Sequence, residues 1–457
     1  PVDPGRLRMQ VVEREDIFGP GFPHSDRNAL PFHLINMCAR DMGVVDGRPE
    51  DFQDWLEERR PGLARDFPLY RPFLESPCLR EGPCTYVPRG VMGLYLQERF
   101  RESAGRLRRL GASVTLLPGW EAQDLREEEG ALRVFLRRTG GGETRELATD
   151  RVLLATGHWF EASTDGRFFP SPWPPRLLEE AVPPGARVGV IGTGLSALDA
   201  ALTLTADGSF IRNGSGELAY RPSERPRSVT LYSRSGLLPR VRGRTGPYRN
   251  ARFTHANLQE RRRANGGVLF LEDLHELLDA DLGRHYGRSV DWKGAVRPQG
   301  TPRALLERHL REARCGDGPG GELRWQTVLH QTFPMAREIY LQLAAGDRKR
   351  FDRELTTPFF LFASPMPPVN AEKLLALMRA GVTRVVRLGR AYTLERPGKG
   401  PSFVFRHKDA GGRLREEPCD FVVDARGQRR SFETDPAPLA RTLLASGTVR
   451  IETLPLS

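Results

Sequence analysis

A segment of 47 residues recurs in this 457-residue chain at a constant offset of 270. Gly111–Gly157 overlies Gly381–Gly427 without a gap, giving 14 identical pairs that include Gly119/Gly389, Val134/Val404, Phe135/Phe405, Asp150/Asp420 and Gly157/Gly427. A repeat of that length constrains the fold strongly, because both copies must form the same supersecondary unit. Each copy reads as a strand (Ser113–Leu117; Val382–Val386), a glycine, and two short strands joined by glycine turns such as Gly141-Gly142 and Gly411-Gly412. Each then closes on an apolar run after aspartate: Val152-Leu153-Leu154-Ala155-Thr156-Gly157 and Phe421-Val422-Val423-Asp424-Ala425-Arg426-Gly427. Continuous apolar strands are what buried positions in a parallel sheet require, so both closing runs are expected to be buried strands. Their small Ala-x-Gly endings let backbone approach a ligand, which makes Ala155, Thr156 and Gly157 candidate contacts.

Between the copies stands Val188-Gly189-Val190-Ile191-Gly192-Thr193-Gly194-Leu195-Ser196-Ala197. This is a short apolar strand, a G-x-G-x-x-A loop, and a helix with Leu195, Leu198, Ala201 and Leu202 on one face. The strand before and the helix after distinguish it from a chance glycine pattern. Gly192 permits the tight turn, Gly194 lets a pyrophosphate reach the backbone, and Ala197 lets helix and strand pack closely. With Thr193, Leu195 and Ser196, the start of the helix supplies N–H groups and a positive dipole end for phosphates. The same stretch lacks the second glycine of a G-x-S-x-G hydrolase elbow.

The next strand, Ser228–Tyr232, ends in Ser233-Arg234-Ser235. An NAD site carries Asp or Glu there for the ribose 2′-hydroxyl. A hydroxyl and a guanidinium suit a 2′-phosphate instead, so Ser233 and Arg234 point to NADPH rather than NADH. Near the start of the chain, Met9–Val12 reads as a strand ending in Glu13, the acid expected to hold a ribose without a 2′-phosphate, as in FAD or NAD. A glycine loop should precede such an acid by about 20 residues. Only 12 residues precede Glu13, and the first is not methionine, so the expectation is that the sequence is clipped ahead of this strand.

The net charge of +11 has its source in arginine: only five of the 69 basic residues are lysines. The arginines are scattered among acids rather than gathered into a stripe, so nucleic acid is not expected as a partner. The five cysteines, Cys38, Cys78, Cys84, Cys315 and Cys419, make neither a CxxC pair nor a disulfide framework, which fits a reducing cytoplasm. The histidines lack metal-ligand spacing, and no metal is expected. No apolar run approaches the roughly 20 residues of a membrane span.

Beyond these motifs, Phe18-Gly19-x-Gly21, His33-Leu34-Ile35-Asn36-Met37 with Met42, Tyr86-Val87-Pro88-Arg89 with Tyr95, and Ser233-Arg234-Ser235-Gly236-Leu237-Leu238-Pro239-Arg240 resemble segments of one family. It is the family of bacterial two-dinucleotide flavoproteins, FAD/NAD(P)-binding proteins related to flavin-dependent, N-hydroxylating monooxygenases. The resemblance spans nearly the whole chain. It implies an α/β fold of two Rossmann-like units, FAD in the first and NADPH in the second, with a mostly helical insertion. The domains so implied are 1–165 for FAD, lacking its first strand and glycine loop, and 184–245 with 381–428 for NADPH. An insertion at 246–380 and a shortened return to the FAD domain at 429–457 complete them. Helical patterns at Ala304–Leu310, Met335–Leu343 and Ala371–Met378 mark the insertion.

The resemblance also implies that Glu13, Gly19, Gly21, Asn36 and Met37 contact the flavin dinucleotide. Asn36 and Arg89 are the polar candidates at the flavin itself, either catalytic or only supporting their loop. The basic run from Arg240 to Arg244 either adds phosphate contacts, with Arg240 first, or is a solvated loop. His158 and Trp159 either line the cleft or pack. Two adjacent dinucleotide sites suggest hydride transfer from NADPH to flavin, after which O2 and a desolvated C4a-hydroperoxide would oxygenate a small polar substrate. N-oxygenation of an amino acid, aspartate-like among the options, or of an amine is the expected subtype by family analogy. A flavin reductase without oxygen transfer, a non-catalytic nucleotide sensor and a charge-driven nucleic-acid binder are the alternatives. A homo-oligomer remains open.

Overall fold

A computed structural model describes residues 3–76, 80–81, 84–128, 130–157, 166–214, 216–297, 300–396, 403–427 and 432–452. The chain divides into two compact units: Pro1–Ala162 with Trp173–Leu177 and Gly427–Glu452, and Ser163–Pro172 with Leu178–Arg426 and Thr453–Ser457.

In the first unit, β1 (Arg8–Glu13) pairs in parallel with β2 (Ser113–Pro118), Arg8 opposite Ser113 and Glu13 opposite Pro118. Between them lie α1 (Asp51–Asp66) and α2 (Arg89–Arg109). The last turn of α2 carries Arg106, Arg108 and Arg109, the sign that the helix dipole favours at a C-terminus. Ala104 of α2, Ala112 and Val114 of β2 close one small core. Then β3 (Trp120–Glu128), β4 (Ala131–Arg138) and β5 (Thr144–Thr149) form an antiparallel meander. Trp120, Leu136 and Leu147 pack beneath it with Leu117. The helix Pro438–Ala445 covers Leu125 of β3 with Leu439 and Leu443.

In the second unit, β6 (Arg187–Ile191) leads into α3 (Leu195–Leu204), and β7 (Ser228–Ser233) follows. A long helical segment comes next, containing α4 (His255–Ala264), α5 (Leu271–Tyr286), α6 (Pro302–Cys315), α7 (Arg324–His330), α8 (Thr356–Ala363) and α9 (Pro368–Arg379). Its opening is tied down by the wholly buried Asp281 of α5, which accepts hydrogen bonds from the N–H groups of Ala251, Arg252 and Phe253 and from the Tyr248 hydroxyl. The chain then forms β8 (Thr383–Arg387), the meander β9 (Thr393–Glu395), β10 (Phe403–Lys408) and β11 (Leu414–Cys419), and finally β12 (Phe421–Asp424). The sheet order is β8-β7-β6-β12 followed by the two-residue strand Phe168–Phe169, and every pairing is parallel. This is half of a doubly wound sheet, with β6 at the centre. A Cβ on Gly189 of β6 would lie 2.9 Å from both Cys419 Sγ and Phe405 Cε2, so only glycine lets the meander pack this close.

The duplication is visible in the coordinates. β2 and β8 begin 270 residues apart, and β5 and β11 share both ends at that offset. The closing run differs. β12 is hydrogen-bonded between β6 and Phe168–Phe169, whereas its counterpart Val152–Ala155 forms no strand, and Leu153 is 92% exposed. The expectation of a buried strand there is therefore corrected. Among the described residues, the parallel sheet of the first unit is β1 and β2 alone, so it contains no strand in the central position that β6 occupies. An apolar run without a neighbour to complete its hydrogen bonds does not become a sheet strand.

No helix among the described residues is long and apolar enough to cross a membrane.

Candidate dinucleotide-binding sites

In the second unit the loop Gly192–Gly194 turns β6 into α3. Gly192 sits at φ +126°, where a Cβ would lie 3.0 Å from the Ala425 carbonyl oxygen, and its N–H donates to Tyr232 O at 2.7 Å. Gly194 is the N-cap of α3 in an extended conformation, and a Cβ there would meet nothing within 4 Å. The two glycines thus differ in role: Gly192 seals the loop against β12's end, and Gly194 presents an open backbone surface. Leu195 and Ser196 open α3, whose first-turn N–H groups have no partner within the helix. Thr193 Oγ1 donates to Leu237 O at 2.6 Å and ties this loop to the turn after β7.

That turn is built by hydroxyls. Ser233 Oγ accepts from Gly236 N–H at 3.0 Å and Ser235 Oγ from Leu237 N–H at 3.3 Å, while Gly236 takes φ +70°. Ser233 lies opposite Arg387, and Arg234 O accepts from Gly389 N–H at 3.2 Å. The Arg234 side chain is exposed and, among the described residues, has neither an ion pair nor a hydrogen bond.

Arg240 is placed differently from its neighbour. Its guanidinium donates to Glu312 Oε2 at 2.8 Å and to His309 Nε2 at 2.7 Å, and it lies 5.4 Å from the Trp325 ring centroid and 5.6 Å from that of Phe362. Burial, followed by the Arg240 and Arg308 charges, pushes the His309 pKa down to about 3, so the imidazole is neutral and its Nε2 accepts. Arg240 is a rivet inside the helical segment, with both of its terminal nitrogens engaged, one by His309 and one by Glu312.

In the first unit, Glu13 closes β1, and its Oε1 accepts from Glu15 N–H at 2.9 Å. At the offset of 270 the registers of the two units superimpose. Arg8 opposite Ser113 corresponds to Val229 opposite Thr383, so Glu13 corresponds to Arg234. The same position at the end of the second parallel strand thus carries an acid in one unit and an unpaired arginine in the other.

Gly19 has φ +114°, and a Cβ there would come within 2.7 Å of Leu96 O on α2. Gly93 of α2 reciprocates: a Cβ there would reach within 2.1 Å of His24 O. Gly19 therefore lets this loop pack closely against the backbone of α2. Gly21, at φ +57°, faces more open surroundings, with only Pro23 within 4 Å of a Cβ.

Residues 33–35 run antiparallel to 87–89. Leu34 lies opposite Pro88, Ile35 N–H donates to Val87 O at 2.9 Å, and Arg89 N–H donates to His33 O at 2.8 Å. Arg89 is buried, donates from Nε to Leu34 O at 3.2 Å, and has its guanidinium carbon 5.2 Å from the Trp173 ring centroid. Asn36 is half-buried, and its amide makes no hydrogen bond among the described residues; Met37 beside it is exposed. These three residues therefore belong to one strand-paired neighbourhood. The sequence reading missed His24 and Trp173 around Arg89. Burial and then the Arg89 charge push His24 down to about 4, and the His33 ring meets Trp173 edge-on at 5.5 Å. Only the fold brings these residues together, so no spacing signal marked them.

Tyr95 is structural. Its hydroxyl donates to Asp51 at 2.7 Å and accepts from Val44 N–H at 3.0 Å, and Arg99 also binds Asp51. Burial alone would raise the Asp51 pKa, but these donors outweigh it and hold the carboxyl below its usual range. Ala155, Thr156 and Gly157 are exposed and lie outside any strand. His158 and Trp159 lie outside the described residues.

A parallel sheet whose central strand runs through a glycine loop into a helix, beside an arginine at the next strand end, defines a dinucleotide-binding α/β protein. Residues 2–159 match the FAD-NAD(P)-binding family, and this segment is an FAD-NAD(P)-binding domain. Over 445 residues the chain is 25% identical to the uncharacterized protein YdhS of Escherichia coli (strain K12), covering 93% of this chain and 79% of that one. Among solved structures it is similar to ornithine hydroxylase (PvdA) from Pseudomonas aeruginosa, at TM-score 0.43 and 15% identity over 96% of this chain and 78% of that chain. It is also similar to L-lysine 6-monooxygenase from Pseudomonas syringae, at TM-score 0.42 and 14% identity over 93% and 73%.

Proposed function

We propose that this protein is an FAD- and NADPH-dependent oxidoreductase of the monooxygenase type, oxygenating a small polar substrate, with N-oxygenation of an amino acid or amine as its reaction. The observation that carries the reading is the exchange between Glu13 and Arg234 at one register position of a duplicated unit. A carboxylate there accepts from ribose hydroxyls, and a guanidinium there grips a 2′-phosphate. One chain would then hold two different dinucleotides, an arrangement suited to passing reducing equivalents between them.

The residues present fit such groups. The open backbone at Gly194 and the first turn of α3 would receive a pyrophosphate, and the unpaired Arg234 would receive the adenosine 2′-phosphate. In the first unit Glu13 would hold the flavin dinucleotide's ribose. The Asn36 amide, half-buried and without a hydrogen bond among the described residues, is a donor and acceptor suited to a flavin edge. Arg89, held by Leu34 O and Trp173, fixes the backbone that carries Asn36. The bound cofactors would supply hydride transfer and the reaction with O2; the side chains bind, orient and exclude water.

The test is purification, a flavin absorbance spectrum, and NADPH oxidation in air with a panel of amines and amino acids, read with O2 uptake and product mass. Substrate-dependent O2 uptake and a product heavier by one oxygen atom are expected. NADPH oxidation without an oxygenated product would replace this reading with a flavin reductase. Bound flavin without turnover would leave a sensor, and salt-sensitive retention on nucleic acid without flavin would overturn the whole reading.

A further inference from the structure

Cys38 and Cys84 are 46 residues apart in sequence, yet their thiols lie close enough to shift one another's ionisation. The backbone explains why they meet. The Leu34–Pro88 bridge, flanked by the Arg89-to-His33 and Ile35-to-Val87 hydrogen bonds, sets the two segments antiparallel. The chain then bends at Asn36 and Met37, and the turn Ala39–Asp41, which Cys38 starts, packs on Cys84–Thr85. Cys38 is buried and Cys84 half-buried, giving the pair one side toward solvent.

We propose that Cys38 and Cys84 are a reversible redox pair, oxidised by peroxide to a disulfide that staples residues 33–38 to residues 84–89. The Cys84 thiol first, and then the N–H groups of Arg40 and Thr85, bring the Cys38 pKa down to about 7 against the opposing effects of burial and the Asp41 charge. The thiolate is the reactive form. The Cys38 thiolate attacks one peroxide oxygen, forming an S–O bond as the O–O bond breaks, and the released hydroxide takes up a proton to become water. The Cys84 sulfur then displaces the oxygen of the Cys38 sulfenic acid; the S–S bond forms, and hydroxide leaves with the Cys84 proton as a second water. Two thiols are oxidised and one peroxide is reduced. The staple would enclose Asn36 and Met37, so its effect on flavin retention rests on the function proposed above, whereas the disulfide itself does not.

The experiment is a hydrogen peroxide titration of the purified protein, followed by blocking of residual thiols and peptide mapping without reductant. A linked Cys38–Cys84 peptide, lighter by two hydrogens and restored by dithiothreitol, is expected at peroxide levels that leave Cys315 and Cys419 as thiols. The same link is expected in Cys78→Ser, which removes the nearest competing thiol in sequence. In Cys84→Ser, Cys38 should stop at a sulfenic acid that dimedone traps, and in the unmutated protein alkylation of Cys38 should rise with pH around a midpoint near 7. A Cys38–Cys78 or Cys78–Cys84 link, or independent oxidation of Cys38 and Cys84 to sulfinic acids in the unmutated protein, would overturn the proposal. Flavin content, read separately by absorbance, tells failure of the flavin assignment apart from failure of the thiol pair.

Discussion

A single side chain, Arg234, carries the sharpest consequence at the scale of residues. It is exposed, has no protein partner among the described residues, and stands where the other unit carries Glu13. Arg234→Ala should weaken NADPH by about 1–3 kcal/mol, the range of a charge-assisted hydrogen bond, and leave NADH nearly unchanged. Titration of both nucleotides by fluorescence measures this, and equal loss for the two would remove the 2′-phosphate role. The two loop glycines make a second contrast. Gly194 has a negative φ of −78° and open space at its Cβ position, so Gly194→Val should fold normally while filling the approach to the helix N-terminus. Nucleotide binding in the second unit should be lost at an unchanged thermal midpoint, with flavin content intact. Loss of flavin in place of nucleotide would reverse the assignment of the two units.

Elements differ in how plainly the sequence announces them, and the reason is whether their partners are local. β6, β7 and α3 were legible because an apolar run, a glycine loop and an apolar helix face follow one another within a few dozen residues. The meanders were legible because their turns carry paired glycines at the same offset in both copies. Val152–Ala155 was misread because apolar character shows only that a run can be buried, and the hydrogen-bonding neighbour that would bury it is a matter of the whole sheet. Gly19 has a packing role that the sequence did not announce, for a related reason. A glycine at positive φ beside a strand end fits a ligand turn, but the partner here is the backbone of α2, 77 residues on at Leu96. Gly19→Ala therefore meets both an unfavourable φ and a backbone contact that cannot move aside. A loss of about 2–4 kcal/mol is expected, as a lowered urea midpoint. A loss of cofactor affinity at unchanged stability would instead return Gly19 to the cofactor.

Taken as a whole molecule, the chain carries one supersecondary segment twice, and each of its two units holds a neutral histidine beside an arginine. His24 lies near Arg89 in the first unit and His309 touches Arg240 in the second. Burial, then the arginine charge, holds their pKa values at about 4 and about 3, against 6.5 for a free side chain. The unfolded chain thus binds protons that the folded chain refuses. The stability associated with each neutral histidine is fully present above pH 6.5 and is lost as pH falls from 6.5 through about 4 for His24 and about 3 for His309. The loss is at most a few kcal/mol for each, at about 1.4 kcal/mol per pH unit across the window. The net charge of +11 at neutral pH rises as carboxylates protonate and adds a general acid destabilisation. Comparison of variants separates the two effects, because that general term is nearly common to all of them. His24→Gln and His309→Gln keep a polar group that does not titrate; at position 309 the glutamine carbonyl oxygen can still accept from Arg240. Urea midpoints measured every half pH unit from 7 to 4 should fall less steeply in each variant than in the parent protein. Parallel profiles for parent and variants would show that neither histidine is held neutral by its surroundings.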